Sequence, residues 1–109
     1  MVPTDLAGAG WIVHANLPGF RKVVEVQRNL REARPVRQVV YSDGLAALSV
    51  FIEPLAGGSV QLRTGLASAG AINVFTREVA RHLVTVVGEA PAASIQRVAN
   101  AVEYRMPAR

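Results

Sequence analysis

Two histidines, His14 and His82, are the side chains in this chain best suited to moving a proton or holding a metal. They lie far apart in sequence, and no carboxylate falls near either at ligand spacing. A nucleophilic triad for acyl transfer can be written from Ser42, His82 and Asp43. No Gly-x-Ser-x-Gly elbow surrounds any serine, however, and Ser42-Asp43-Gly44 explains itself as a turn. Glu53 and Glu89 each lie beside a strand end and close to a proline, and read as terminators rather than an acid–base pair. The glycines between 57 and 70 are followed by no Lys-Ser or Lys-Thr and lack the Gly-x-Gly-x-x-Gly spacing, so they form no phosphate loop. With no cysteine, a thiolate metal site, a cysteine nucleophile and a disulfide scaffold are all excluded. The residues therefore specify no catalytic group, no metal ligand set and no cofactor, and the chain reads as a binding protein rather than an enzyme.

Charge points the same way. Twelve Lys and Arg stand against eight Asp and Glu, a net charge of +4, and Lys22 is the single lysine. Arginine pairs with carboxylate or phosphate through a planar fork. The balance favours an acidic polypeptide, an anionic lipid or nucleic acid as partner. Arg28, Arg31, Arg34 and Arg37 recur at every third position, and Pro35 interrupts any helix there, so this stretch reads as a charged connection between strands. The six aromatics fall mostly in strand candidates, and no ribonucleoprotein motif or zinc finger is present. Nucleic acid is thus supported by charge alone.

The elements that must carry these residues suit one domain: 109 residues, half of them hydrophobic. Residues 1–10 read as a flexible lead-in with Pro3, Gly8 and Gly10, and residues 11–106 as the domain. Strand candidates follow at Trp11–Ala15, Phe20–Gln27, Val36–Tyr41, Leu45–Glu53, Ala71–Arg77 and His82–Val87. Leu45–Glu53 is apolar almost throughout and is expected at the sheet centre, covered on both faces. Pro18-Gly19 and Asp43-Gly44 mark chain reversals. Residues 55–70 read as a long loop. From Pro91, the residues Ile95, Val98, Ala99 and Val102 form one apolar helical stripe, with Pro107 ending the helix. The expected fold is α+β: a mainly antiparallel sheet of five to six strands with a C-terminal amphipathic helix on one face.

Three strings make the chain similar to a known family. Leu17-Pro18-Gly19-Phe20, then Val40-Tyr41-Ser42-Asp43-Gly44-Leu45 running into Leu48–Glu53, then Val84–Gly88-Glu89-Ala90-Pro91 before an amphipathic helix, resemble the C-terminal domain of the MucB/RseB family. Arg63-Thr64-Gly65 fits the same pattern, and the strings occur in the family's order from Trp11 to Tyr104. The resemblance implies a periplasmic negative regulator of the sigma-E (AlgU) envelope stress response. Such a protein binds the periplasmic part of an anti-sigma factor, RseA or MucA, and shields it from proteolysis. It also implies a response to lipopolysaccharide or related lipid, and a parent with a signal peptide and an N-terminal domain that are not in this sequence. No catalytic residues carry over. On this reading Arg28, Arg31, Arg34, Arg37 and Arg63 are the candidate partner contacts. Pro18, Gly19, Phe20, Tyr41, Ser42, Asp43, Gly44, Gly88, Glu89 and Pro91 are motif residues with structural roles. Lipopolysaccharide or another anionic lipid is the alternative ligand. The oligomeric state is not specified.

Overall fold

Leu48, Val50 and Ile52 alternate with Ser49, Phe51 and Glu53, the two-residue period that sends side chains to opposite faces of a strand. The computed structural model, which describes residues 2–15, 17–29, 35–55 and 65–105, builds a sheet around that strand. In chain order the elements are β1 (Val2–Pro3), β2 (Trp11–Val13), β3 (Arg21–Asn29), β4 (Pro35–Ser42), β5 (Ala47–Pro54), β6 (Gly65–Ala69), β7 (Ile72–Val79), β8 (His82–Gly88), α1 (Ala92–Asn100) and β9 (Val102–Tyr104). Seven strands make one antiparallel sheet in the order β1-β3-β4-β5-β8-β7-β6, and β2 pairs with β9 as a separate ribbon. The class is the expected one, an antiparallel sheet with one C-terminal helix.

Register fixes which side chains share a face. One row runs Glu25, Val39, Val50, Val86, Phe75, Leu66 across β3, β4, β5, β8, β7 and β6. Its neighbours carry Tyr41, Leu48, Gly88 and Asn73 on one side, and Arg37, Ile52, Val84 and Arg77 on the other. Against this face α1 packs Ile95, Val98 and Ala99, all fully buried, and the β2–β9 ribbon packs Trp11 and Val102. Each fully buried Ile or Val contributes roughly 1.5–3 kcal/mol, so this single layer of contact accounts for the helix being held on the sheet. Arg77 closes the helix from below: its Nη1 donates to the Ala99 carbonyl at 2.9 Å and the Val102 carbonyl at 3.4 Å.

Several elements differ from the expectation. Residues 2–6 are held to the sheet. Val2 and Pro3 pair with Gln27 and Val26, the Leu6 N–H donates to Glu25 Oε2 at 2.7 Å, and Leu6 is buried in the core. Trp11–Val13 joins β9 rather than the main sheet. The helix ends at Asn100, and Val102 reaches the core from a strand, because β2 needs a hydrogen-bonding partner and finds it there. Pro91 stands just before the helix rather than inside it. Within the expected 55–70 loop, Gly65–Ala69 forms β6, and residues 56–64 lie outside the described residues. β5 is central, but only its helix side is fully covered, with Ser49 and Phe51 half-buried, and Leu45 sits at a hairpin tip 97% exposed.

Candidate partner-binding surface

The three strings that suggested the family meet at one end of the sheet. Leu17–Phe20 closes a turn in which the Phe20 N–H donates to the Leu17 carbonyl at 3.1 Å and Gly19 takes a φ of 81°. Pro18 presets the second position of such a turn, and glycine supplies the third. The β4–β5 hairpin turn is knotted by its own side chains. Asp43 Oδ1 accepts the Leu45 and Ala46 N–H groups at 2.9 and 2.8 Å. Ser42 Oγ accepts the Gly44 N–H at 3.0 Å and donates to the Ala46 carbonyl at 2.9 Å. The N–H groups of Ala46 and Leu45 hold the Asp43 carboxyl below the usual carboxylate range, so it is ionised at neutral pH. Gly19 packs beside Asp43, where a Cβ would stand 3.8 Å from the Asp43 Cβ, so the two turns touch.

Between these turns and the start of α1 lies a groove of about 240 Å³, with Leu17, Phe20, Ala46 and Ala90 among its lining residues and Pro18, Pro91 and Ser94 beside them. Asp43 and Glu89 also line it, and both are exposed. An apolar groove flanked by two carboxylates suits a long side chain with an apolar stem and a cationic or hydrogen-bonding end, as a polypeptide supplies. Leu45 projects from the same turn.

A second cavity, of about 210 Å³, lies under the N-terminal segment between Leu6, Trp11, Val13, Val39 and the polar trio Lys22, Glu25 and Tyr41. Glu25 links two elements here, accepting Lys22 Nζ at 2.7 Å as well as the Leu6 N–H. The bond to Glu25 raises the Lys22 ammonium above its ordinary range. Burial pushes the Tyr41 phenol up, with Lys22 opposing it. Tyr41 therefore lines this cavity, while its neighbours Ser42, Asp43 and Gly44 build the turn. Gly88 serves neither site directly. It lets β8 approach β5, since a Cβ there would fall 2.6 Å from the Ala47 carbonyl oxygen.

Of the five candidate contact arginines, Arg28 and Arg37 fall among the described residues. Arg31, Arg34 and Arg63 lie outside the described residues. Arg28 and Arg37, expected in a connection, stand instead within β3 and β4, opposite Val36 and Gln27. The strands extend that far because the β3–β4 ladder continues to Asn29 and Pro35. Arg37 faces the helix side, half-buried, and its Nε has no hydrogen-bond partner among the described residues.

Of the residues weighed for catalysis, His82 stands at the end of β8 opposite Gly88, roughly 20 Å along the strand at ~3.3 Å per residue. Ser42 and Asp43 belong to the Gly88 end, so the three do not meet. His82 instead packs edge-on to Trp11 at 4.9 Å and bonds through Nδ1 to the Ala80 carbonyl at 2.8 Å. His14 pairs with Glu103 across the β2–β9 ribbon at 3.1 Å, in the open. No group of three metal-ligating side chains occurs among the described residues.

The sequence reading missed the outer sheet face. There Val24, Val40, Ser49, Val87, Val74 and Ala67 form one row, and Val26, Gln38, Phe51, Thr85 and Thr76 the next. No described helix or strand lies over these rows. Alternation alone could have located them, since Val24, Val40, Val74 and Val87 are out of phase with the core set.

Comparison with known proteins agrees with this geometry. The profile of the MucB/RseB C-terminal domain matches residues 5–103. The sigma factor AlgU regulatory protein MucB of Pseudomonas aeruginosa is 42% identical over 67 residues, 60% of this chain and 21% of that protein. Two solved structures superpose over 92% of the chain. They are MucB in complex with the periplasmic part of MucA (TM-score 0.71, 33% identity, 37% of that chain) and the MucA/MucB complex of Pseudomonas aeruginosa (TM-score 0.70, 34% identity, 36% of that chain). The chain thus spans about a third of the solved relatives and about a fifth of the curated one. With a profile match across nearly its whole length and the family's three strings folded against one another, this chain belongs to the MucB/RseB C-terminal domain family.

Proposed function

We propose that this domain helps bind the periplasmic segment of a MucA- or RseA-like anti-sigma factor and so restrains the sigma factor that segment controls. The observation that carries this reading is the superposition on MucB taken from its complex with periplasmic MucA, over 92% of the chain at 33% identity. The surface suits the task. The row of Val24, Val40, Val87 and Val74 on the outer sheet face, a carboxylate-flanked apolar groove and the exposed Leu45 together offer contacts for an extended polypeptide. The place of action is the periplasm, and the consequence of binding is that the anti-sigma segment is shielded from proteolysis. The test is co-purification of the full-length parent, and of this domain, with the tagged periplasmic segment. Retention of the segment by the parent supports the reading, and failure of both proteins to retain it refutes the reading.

A further inference from the structure

We propose that the outer edge of β6 is where an extended stretch of that periplasmic segment docks, adding itself to the sheet as an eighth strand; the inference rests on the function proposed above. The seven-stranded sheet ends at β6, and among the described residues nothing pairs with its far side. All five residues, Gly65-Leu66-Ala67-Ser68-Ala69, are exposed. Sheet edges are ordinarily blunted by a lysine, a proline, an inward-pointing charge or a bulge, since a bare edge templates pairing with another chain. β6 carries none of these, and its register with β7 is unbroken from Gly65↔Thr76 to Ala69↔Ile72. The opposite end of the sheet differs: the two-residue β1 covers part of β3, and β3 itself bears Lys22 and a register shift at Lys22/Val24.

The ladder also fixes which backbone groups are offered. Gly70-Ala71 is a two-residue turn, so Ala69 and Ile72 form its hydrogen-bonded pair. Alternation then directs the N–H and C=O groups of Ala69, Ala67 and Gly65 toward β7, and those of Ser68 and Leu66 outward. An incoming strand would therefore bond to Leu66 and Ser68. Its side chains would extend two existing surfaces: Leu66 beside Phe75 on the helix side, and Ala67 beside Val74 on the outer face. The fitting guest is an uncharged stretch of about five residues with small or β-branched side chains. Backbone pairing would supply affinity and the flanking rows selectivity.

Ser68→Pro tests this, because proline at an outward-facing position removes only an outward N–H and leaves the β6–β7 bonds intact. Ser68→Ala controls for loss of the hydroxyl that donates to Asn73. In titrations of the parent protein with the anti-sigma segment, Ser68→Pro should weaken binding by at least about tenfold while Ser68→Ala stays close to the parent. Hydrogen exchange should show the Leu66 and Ser68 amides protected only in the complex. If the parent binds but Ser68→Pro binds equally well and those amides exchange unchanged, the inference is wrong and the proposed function stands. If the proline variant abolishes self-association instead, the edge pairs with a second copy and the inference is also wrong. Absence of binding by the parent removes both readings together.

Discussion

A side chain on Gly88 would begin 2.7 Å from the Leu48 Cα, so strands β8 and β5 are in register there only because residue 88 has none. The obstruction is backbone, and no rotamer change relieves it. Gly88→Ala should destabilise the domain by about 1–3 kcal/mol through overpacking. Trp11, the single tryptophan and nearly fully buried, reports unfolding by fluorescence, and the melting temperature should fall by roughly 4–8 °C for each kcal/mol lost.

Arg77 ties the last turn of the helix to the sheet. Arg77→Met keeps much of the apolar stem but leaves the Ala99 and Val102 carbonyls without their charged donor. The loss should be about 1–3 kcal/mol, visible as a lower urea midpoint. Arg77→Lys should recover part of it.

The β7–β8 turn carries strain. Ala80 and Arg81 adopt φ values of 50° and 60°, a region that costs an L-residue about 1–2 kcal/mol. Replacing both with Asn-Gly (Ala80→Asn, Arg81→Gly) supplies the pair that such a turn favours and should stabilise the fold by about 0.5–1 kcal/mol net of glycine's entropy. An unchanged or lower melting temperature would show that the turn is not strained.

Asp43 sets an acid dependence. Its folded pKa lies below the ordinary carboxylate value, so its contribution is complete above that value, about 3.9, and is lost as pH falls through the folded pKa. Asp43→Asn keeps an oxygen for the Leu45 and Ala46 N–H groups without titrating. The variant should therefore lose less stability than the parent as the pH is lowered below the ordinary carboxylate value, as read by Trp11 fluorescence.

Much of the fold was legible because its signals are local. The apolar run Leu45–Glu53, the β-branched run Leu83–Val87, the Pro18-Gly19 and Asp43-Gly44 turns, and the Ile95/Val98/Ala99 stripe each place an element without reference to the rest. What was not legible depends on distant partners. Gly65-Leu66-Ala67-Ser68-Ala69 is poor in β-branched residues and becomes a strand only by pairing with β7. Val102 completes the helical stripe on paper, yet it is buried equally well from a strand once Trp11–Val13 offers it an edge. Leu6 is fixed by Glu25, too far along the chain for any periodicity to reveal.

The candidate surface was legible in its parts and not in its assembly. Pro18, Asp43, Glu89 and Pro91 were picked out as motif residues, but only the fold brings them around one groove. The every-third spacing of Arg28, Arg31, Arg34 and Arg37 reads as a connection between strands, whereas strand pairing sets Arg28 and Arg37 into β3 and β4.

Calorimetric titration of the full-length parent, with and without this domain, against the periplasmic anti-sigma segment is the most direct measurement. Saturable one-to-one binding that weakens markedly when the domain is removed is the expected result. Equal affinity with and without the domain would contradict a binding role for it.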